Sequence, residues 1–500
     1  MKRLFLGAIV ITILLTQLSL GDNVTPLWTK TYNGATNGND YGMGIAVDIS
    51  GNIYVTGYES VTGQGNNIWT RKYDNNGSEV WTKTHNGVTD GSDQGRGIAV
   101  DSSGNVYAIG NEEITGQSAN IWIRKYDNNG AEIWTRTYNG VANGVDMGSG
   151  IAVDISGNVY VTGSEEIAGH SYNIWTRKYN SNGAEIWTRT YNGAANSTDS
   201  GIGIAVDDSG NVYVTGTEEV TGQSYNIWTR KYDSSGSEVW TKTYNGSANA
   251  SDYGNGIAVD DIGNVYVTGC ETVAGQNFSN TWTRKYDSNG TEVWTRTYNG
   301  AANSADAGRG VAVDSIGNVY VTGCETVTGQ SYNIWTRKYD SDGSEVWTKT
   351  YNGNANGTDV GSGITVDSSG NIYVTGYTFV SGENGNIWTG KYGQQTSVTL
   401  NDTGYFKIIG GKEGYVNPNN GEVANFIYKT LEVGTIIFKV YNLKSEMVKT
   451  VSSIATGPTQ FDSFDFNCKN EDGNVLSSGI YIVKAEGPGL SIVKKLAIIK

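Results

Sequence analysis

Between residues 27 and 393 hydrophobic and polar positions alternate in short runs, and the runs recur. The string GIAVD-x-x-GN-[VI]-Y-V-T-G returns with few changes, its aspartates falling at Asp48, Asp101, Asp154, Asp207, Asp260, Asp314 and Asp367. These are spaced 53, 53, 53, 53, 54 and 53 residues apart. The single extra residue lies in NFSNTW (277–282), where other units read SYNIW. In the second unit, run A is Gly97–Asp101, run B is Val106–Gly110, run C is Ile121–Tyr126 and run D is Ile133–Tyr138. β-Branched and aromatic residues alternate there with Thr, Arg and Lys, which is the period-two signature of strands. Ser-Ser-Gly-Asn joins A to B and Asp-Asn-Asn-Gly-Ala-Glu joins C to D; Gly and Asn supply the positive φ that tight hairpins require. No proline occurs between Pro26 and Pro418, so no strand of this region loses a ladder donor.

Four antiparallel strands repeated at this period describe a propeller blade. Run C carries Trp69, Trp122, Trp175, Trp228, Trp282, Trp335 and Trp388; run D carries Trp28, Trp81, Trp134, Trp187, Trp240, Trp294 and Trp347. The two sets are out of phase. The chain opens with a lone D run, LWTKTY (27–32), and its last unit stops after A, B and C at WTGKY (388–392). Placing the first D strand beside the last C strand gives seven complete blades and leaves no open edge of the kind that invites aggregation. A linear solenoid does not explain why one end lacks what the other has spare. The expected fold is therefore all-β, a seven-bladed β-propeller whose N-terminal strand closes the last blade.

The motif D-x-x-GN-x-Y-V-T-G followed by IWTRKYD-x-x-G-x-E-[VI]-W resembles the bacterial seven-bladed β-propeller repeat (SBBP) family over residues 27–393. The resemblance implies a secreted or surface propeller and no single activity. The D-x-x-G-x-E-x-W part is also similar to repeats of quinoprotein propellers, which hold a quinone with unrepeated polar residues and a metal. No such set stands out here.

Two flanking segments differ from the repeats. Lys2 and Arg3 precede an apolar run from Leu4 to Leu15, and Ser19 and Gly21 stand at −3 and −1 of a cut before Asp22. That order is a secretory signal peptide, residues 1–21, and the run is short for a membrane span. Composition changes again near Gln394: residues 395–500 have no Trp and no Arg, and balance 11 Lys against 10 acidic residues. Strands are expected at Thr435–Tyr441, Met447–Val451, Gly479–Ala485 and Ile492–Ile499, and the length suits a seven-strand sandwich. The segment is similar to a bacterial Ig-like module related to the flagellar hook-cap C-terminal domain, and it also resembles C-terminal sorting modules of type IX secretion. The likeness rests on Asn470-Glu471-Asp472-Gly473, Ser478-Gly479-Ile480-Tyr481 and Lys494-Lys495, with Phe464-Asp465-Phe466 where the Ig-like family usually has W-D-G. The domains expected are thus a signal peptide (1–21), a propeller (22–394) and an Ig-like sandwich (395–500) that sorts, anchors or caps.

Composition narrows the function. A net charge of −15 with pI near 4.7 argues against nucleic acid, which needs a basic face. The acidity belongs to residues 22–394, with 22 basic against 40 acidic side chains. Three cysteines exclude a disulfide scaffold. Cys270 and Cys324 occupy equivalent places in adjacent units, too far apart to bridge, and free thiols are expected. Neither His85, which replaces the usual Tyr, nor His170, which replaces the usual Gln, has a nucleophile in a recognisable context. No catalytic residue, metal or cofactor is expected. The tryptophans are read as packing, with cations over their faces. The C–D hairpins (Asp74, Asp127, Asn180, Asp233, Asp287, Asp340) are read as Asx turns in preference to calcium loops. The D–A loop aspartates (Asp40, Asp93, Asp146, Asp199, Asp252, Asp306, Asp359) are read as turn braces in preference to a cation-attracting ring.

Two positions break the repetition. The first holds Tyr41, Gln94, Met147, Ser200, Tyr253, Ala307 and Val360; the second holds Met43, Arg96, Ser149, Ile202, Asn255, Arg309 and Ser362. A residue required by the blade should recur in every blade, and these differ in size and charge. Both lead into run A, which should line the central channel, so together they should ring one mouth. They are the candidate ligand-binding residues. The expectation is a secreted or cell-surface, monomeric, non-enzymatic binding or adhesion scaffold for an extracellular protein or glycan. A lectin-like propeller is the alternative, then a quinoprotein-like or hydrolytic enzyme.

Overall fold

The computed structural model describes residues 23–167, 171–276, 278–395, 405–410, 416–442, 444, 446–457, 462–488 and 490–498. The expected signal peptide and His170 lie outside them. The chain is all-β, and its repeat region lies in four-stranded antiparallel sheets with the arrangement of a β-propeller. The first sheet runs A (Tyr41–Val47), B (Ile53–Val61), C (Gly65–Tyr73), D (Glu79–His85), and the next five follow the same order. The seventh takes A (Val360–Val366), B (Ile372–Phe379) and C (Gly385–Gln395) from the end of the repeats. Its fourth strand is Asn23–Tyr32 from the N-terminal side, paired antiparallel from Asn23↔Gln395 to Tyr32↔Ile387. Strand A of each sheet touches strand A of the next, and that of the seventh touches that of the first.

The repeated motif is a set of turns and seams. In the A–B hairpin Asp48 Oδ1 accepts the N–H groups of Ser50 and Asn52, while Oδ2 accepts the Asn52 amide and the Tyr54 hydroxyl. One carboxylate thus ties together every polar residue of D-x-x-GN-x-Y. In the C–D hairpin Asp74 Oδ1 accepts the N–H groups of Asn76 and Ser78, the expected Asx turn. Asp40, fully buried, accepts from Gly34 N–H at 2.5 Å and Ser60 N–H at 2.9 Å. It braces the loop entering strand A, and the same pairing recurs at Asp199 with Gly193 and Glu219. Burial nevertheless pushes Asp146 and Asp199 up to about 6, against the pull of those N–H donors.

The tryptophans pack as expected. The seven C-strand indoles are fully buried. Those on strand D from Trp81 to Trp347 lie at 7–9% exposure in the seam to the next sheet. Trp81 packs 6.1 Å from Tyr126 and donates its indole N–H to the Asn128 carbonyl. Arg71 lies over Tyr32 at 4.5 Å and Trp69 at 4.9 Å, and pairs with Glu79 at 3.3 Å. His85 stacks on Trp122 at 5.2 Å and faces Glu112 at 3.5 Å, the place where Tyr138 hands its hydroxyl to Glu165. The cysteines are free and buried.

The C-terminal segment forms two sheets among the described residues. Three strands, Tyr405–Gly410, Ala424–Lys429 and Asp462–Phe466, make one; Gly434–Tyr441, Met447–Ala455, Gly479–Gly487 and Leu490–Ile498 make the other. Both contribute to one core containing Phe406, Phe426, Phe438 and Phe466. The sequence pattern located the second sheet but not the first, whose strands are short and interrupted by polar residues.

Candidate ligand-reading mouth

Strand A has two dissimilar ends. Toward the A–B hairpins the seven strands present Ile45-Ala46-Val47 and its counterparts around one cavity of about 370 Å³. The composition barely changes around the ring: Val311 replaces Ile once and Thr365 replaces Ala once. The other end carries the candidate residues, and here the structure corrects the boundary. Tyr41 and Met43 are not in a loop before strand A; they are its first and third residues. Tyr41 pairs with Tyr58 and Gly42 with Gly57, but Gly44 is opposite Thr56, so Met43 has no partner. It is a β-bulge residue, and bulges re-aim a side chain out of the ladder. The same shift recurs in all seven sheets, placing Arg96, Ser149, Ile202, Asn255, Arg309 and Ser362 at bulges.

The glycines around the bulge explain why the side chains between them are free to vary. A Cβ on Gly57 would stand 1.9 Å from the Tyr41 carbonyl oxygen, and one on Gly44 would meet the backbone of the next strand A at 3.0–3.1 Å. Backbone shape is held by glycines and by pairing, and the intervening side chains carry no part of it.

The candidates gather into contacts. Tyr41 stacks on Tyr377 at 3.9 Å and lies 5.3 Å from Tyr58. Arg96 donates from Nε to Asn111 Oδ1 at 3.2 Å and from Nη2 to Gln94 Oε1 at 3.1 Å, and reaches Met147 Sδ at 4.0 Å. Tyr253 lies 5.6 Å from Tyr225, and Asn255 donates to the Gly308 carbonyl at 2.8 Å. Ala307, Arg309 and Val360 line a cavity of about 170 Å³ together with Cys324, Tyr332 and Tyr377. Val360 is only 2% exposed and forms wall, not contact surface. Met43, Ser149, Ser200, Ile202 and Ser362 stand at the same register without gathering into these groups.

One column escaped the sequence reasoning. The residue after the strand-B glycine pairs directly with the first variable position, and it varies too: Tyr58, Asn111, Ser164, Thr217, Cys270, Cys324 and Tyr377. The signal was present, since two of these were singled out as cysteines; aligning that column would have exposed it. Burial pushes the Cys270 thiol up to about 11, so it behaves as a small buried side chain and not as a nucleophile. Among the described residues no three His, Cys, Asp or Glu side chains converge as metal ligands would.

Six stretches, 30–58, 87–111, 133–164, 186–217, 240–269 and 347–380, match the SBBP β-propeller repeat model. Among curated proteins none matches the sequence significantly. Solved structures resemble the chain at low identity. PorZ, a surface component of the type IX secretion system of Porphyromonas gingivalis, is 14% identical over 91% of this chain and 59% of its own, with a TM-score of 0.39. Pyrococcus horikoshii acylaminoacyl peptidase is 10% identical over 78% of this chain and 57% of its own, at 0.41. The β-propeller domain of the Trilobed protease from Pyrococcus furiosus is 10% identical over 72% and 97%, at 0.43. The chain therefore spans less than two thirds of the first two.

Proposed function

We propose that this chain is a non-enzymatic recognition protein displayed outside the cell. In this reading the seven sheets are the blades of a closed seven-bladed propeller over residues 22–394, acting as a monomer. The bulge end of the strand-A ring reads an extracellular ligand. Residues 395–500 form an Ig-like module that sorts or anchors the product, and the leader pattern of residues 1–21 supports export. One observation carries the reading. In units that otherwise nearly repeat, the bulge residue, the residue two before it and the latter's strand-B partner all change in size and polarity, and strand pairing brings these three columns together at one end of the inner strands. The A–B hairpin column Ile49, Ser102, Ile155, Asp208, Asp261, Ser315 and Ser368 varies too, but its members are exposed turn residues, whereas the three columns lie on paired strands at the inner end of the sheets.

The test is a binding screen against immobilised glycans and extracellular proteins, comparing the parent with a chain carrying Tyr41→Ser, Arg96→Ser, Tyr253→Ser and Arg309→Ser. Loss of every hit in the folded variant supports the reading; hits retained unchanged overturn it. Expressing the chain with and without residues 395–500 and following where each product goes tests the role of the tail.

A further inference from the structure

The arginines at the mouth differ from those elsewhere in the propeller. On strand C each arginine from Arg71 to Arg337 has a glutamate within 3.2–3.4 Å. Strand-D arginines such as Arg136 are capped by carbonyls of the next sheet. Among the described residues Arg96 hydrogen-bonds only neutral groups, the Asn111 and Gln94 carbonyl oxygens and the Met147 sulfur. Those contacts hold its guanidinium in place and leave its charge uncompensated. Arg309 is exposed at the cavity shared with Tyr332 and Tyr377. The nearby Asp306 carboxylate is turned to the N–H groups of Gly300 and Thr326.

The two arginines are linked by aromatic surface. Arg309 sits in the sixth sheet, Tyr377 in the seventh, Tyr41 and Tyr58 in the first, and Arg96 in the second. Tyr377 and Tyr41 stack, and Tyr58 follows at 5.3 Å. The result is one arc over four consecutive sheets: cation, three half-buried phenol rings, cation. Burial pulls Arg96 below the usual arginine range, with Tyr58 as its nearby acidic group. A guanidinium stays protonated nonetheless, so its desolvated charge gains from an anionic partner.

We propose that this arc binds a short oligosaccharide bearing carboxylates, with sugars lying along the Tyr377–Tyr41–Tyr58 rings and acid groups held by both Arg96 and Arg309. The proposal rests on the ligand-reading role argued above and adds the ligand class. Planar guanidinium forks match carboxylates in bidentate geometry, and ring faces suit the apolar faces of a pyranose. The acidity of the remaining propeller surface sets a limit on size. Charges more than a Debye length away, about 8 Å at physiological salt, are largely screened, so a short acidic ligand seated in the mouth meets mainly the two arginines. A long polyanion draped over the outer surface meets the acidic side chains.

Calorimetric titration of the mature chain with trigalacturonate, its fully methyl-esterified form and maltotriose tests this. The expected result is binding of the acid, weakening of about tenfold or more for the neutral ester, and weakening with added salt. Arg96→Gln with Arg309→Gln removes binding of the acid at unchanged melting temperature, and the corresponding pair of Lys substitutions restores part of it. Equal affinity for acid and ester, or acid binding untouched by the Gln pair, overturns the proposal. Binding of maltotriose alone, lost in the four-residue Ser variant, also overturns it while leaving the ligand-reading mouth intact. No binding of any saccharide beside a mouth-dependent hit on a protein array overturns the saccharide class in the same way.

Discussion

The two ends of strand A are made by the same seven segments, a few residues apart, and obey different rules. At the hairpin end Ile-Ala-Val is repeated almost without change around the channel. At the bulge end Met43, Arg96, Ser149, Ile202, Asn255, Arg309 and Ser362 share no size, charge or polarity. The hairpin end is paired on strand B residue by residue and packs against its neighbours, so the fold prescribes each side chain there. The bulge residue has no ladder partner and stands between two glycines whose missing Cβ atoms make room for backbone. The fold prescribes its main chain and leaves its side chain open. A repeat protein can thus hold its scaffold uniform and still vary the side chains at one end of its inner strands.

Substitutions can break this contrast. The largest loss is expected in the uniform part: Trp228→Ala, which empties a fully buried site between strands, should lower the unfolding free energy by about 3–5 kcal/mol in denaturant titrations. Gly57→Ala is next. Its Cβ would collide with the Tyr41 carbonyl at 1.9 Å, and opening the A–B pair there should cost about 1–3 kcal/mol. Gly222→Ala, at φ +80° in a B–C turn with nothing within 4 Å of its Cβ, costs only the left-handed backbone, about 1 kcal/mol. The difference between the two glycine variants separates close approach from backbone angle.

Acid provides a gentler probe of the uniform part. Burial raises Asp40, Asp93, Asp252 and Asp306 above the usual carboxylate range and takes Asp146 and Asp199 up to about 6. A raised folded-state pKa means that the native chain holds protons the unfolded chain has released. Stability from these groups is present in acid and lost as pH rises through about 6. The melting temperature should therefore be level above about pH 7, climb as pH falls through about 6 toward about 4, and drop below about 4. Below that point the Asp48 and Asp154 hairpin carboxylates, held below their usual range mainly by Asn52 and Asn158 despite burial, are protonated in turn. A flat profile above pH 5 would remove the buried aspartates from the energetics. The smallest effects belong to the variable end: Ser149→Ala and Ile202→Ala should change stability by no more than about 0.5 kcal/mol.

The same contrast governs how much could be read in advance. Strand order and the Trp columns were legible because each is written seven times, as with Trp69 and its counterparts, and the joining of the first D strand to the last C strand followed from the offset of those columns. The bulge was not legible, because Gly-Met-Gly at 42–44 reads equally well as a loop; only the register with Thr56 and Gly57 shows it. Tyr58 and Tyr377 were missed as candidate residues for a similar reason. Their role comes from lying opposite the first variable column across the A–B pair, a relation between strands and not within one. In the tail, Tyr405–Gly410 and Asp462–Phe466 went unseen because five or six residues with polar interruptions give too little periodicity.

The most direct test exchanges one sheet's mouth residues for its neighbour's. Gln94→Met, Arg96→Ser and Asn111→Ser give the second sheet the residues of the third. Thermal unfolding of parent and exchanged chains with and without trigalacturonate reads both halves of the account at once, since a ligand that binds only the native state raises its melting temperature. The account predicts the same melting temperature for both chains without ligand, within about 2 °C, and a ligand-induced rise in the parent that is lost after the exchange. A chain that melts much earlier without ligand, or one that keeps the full ligand-induced rise, would contradict it.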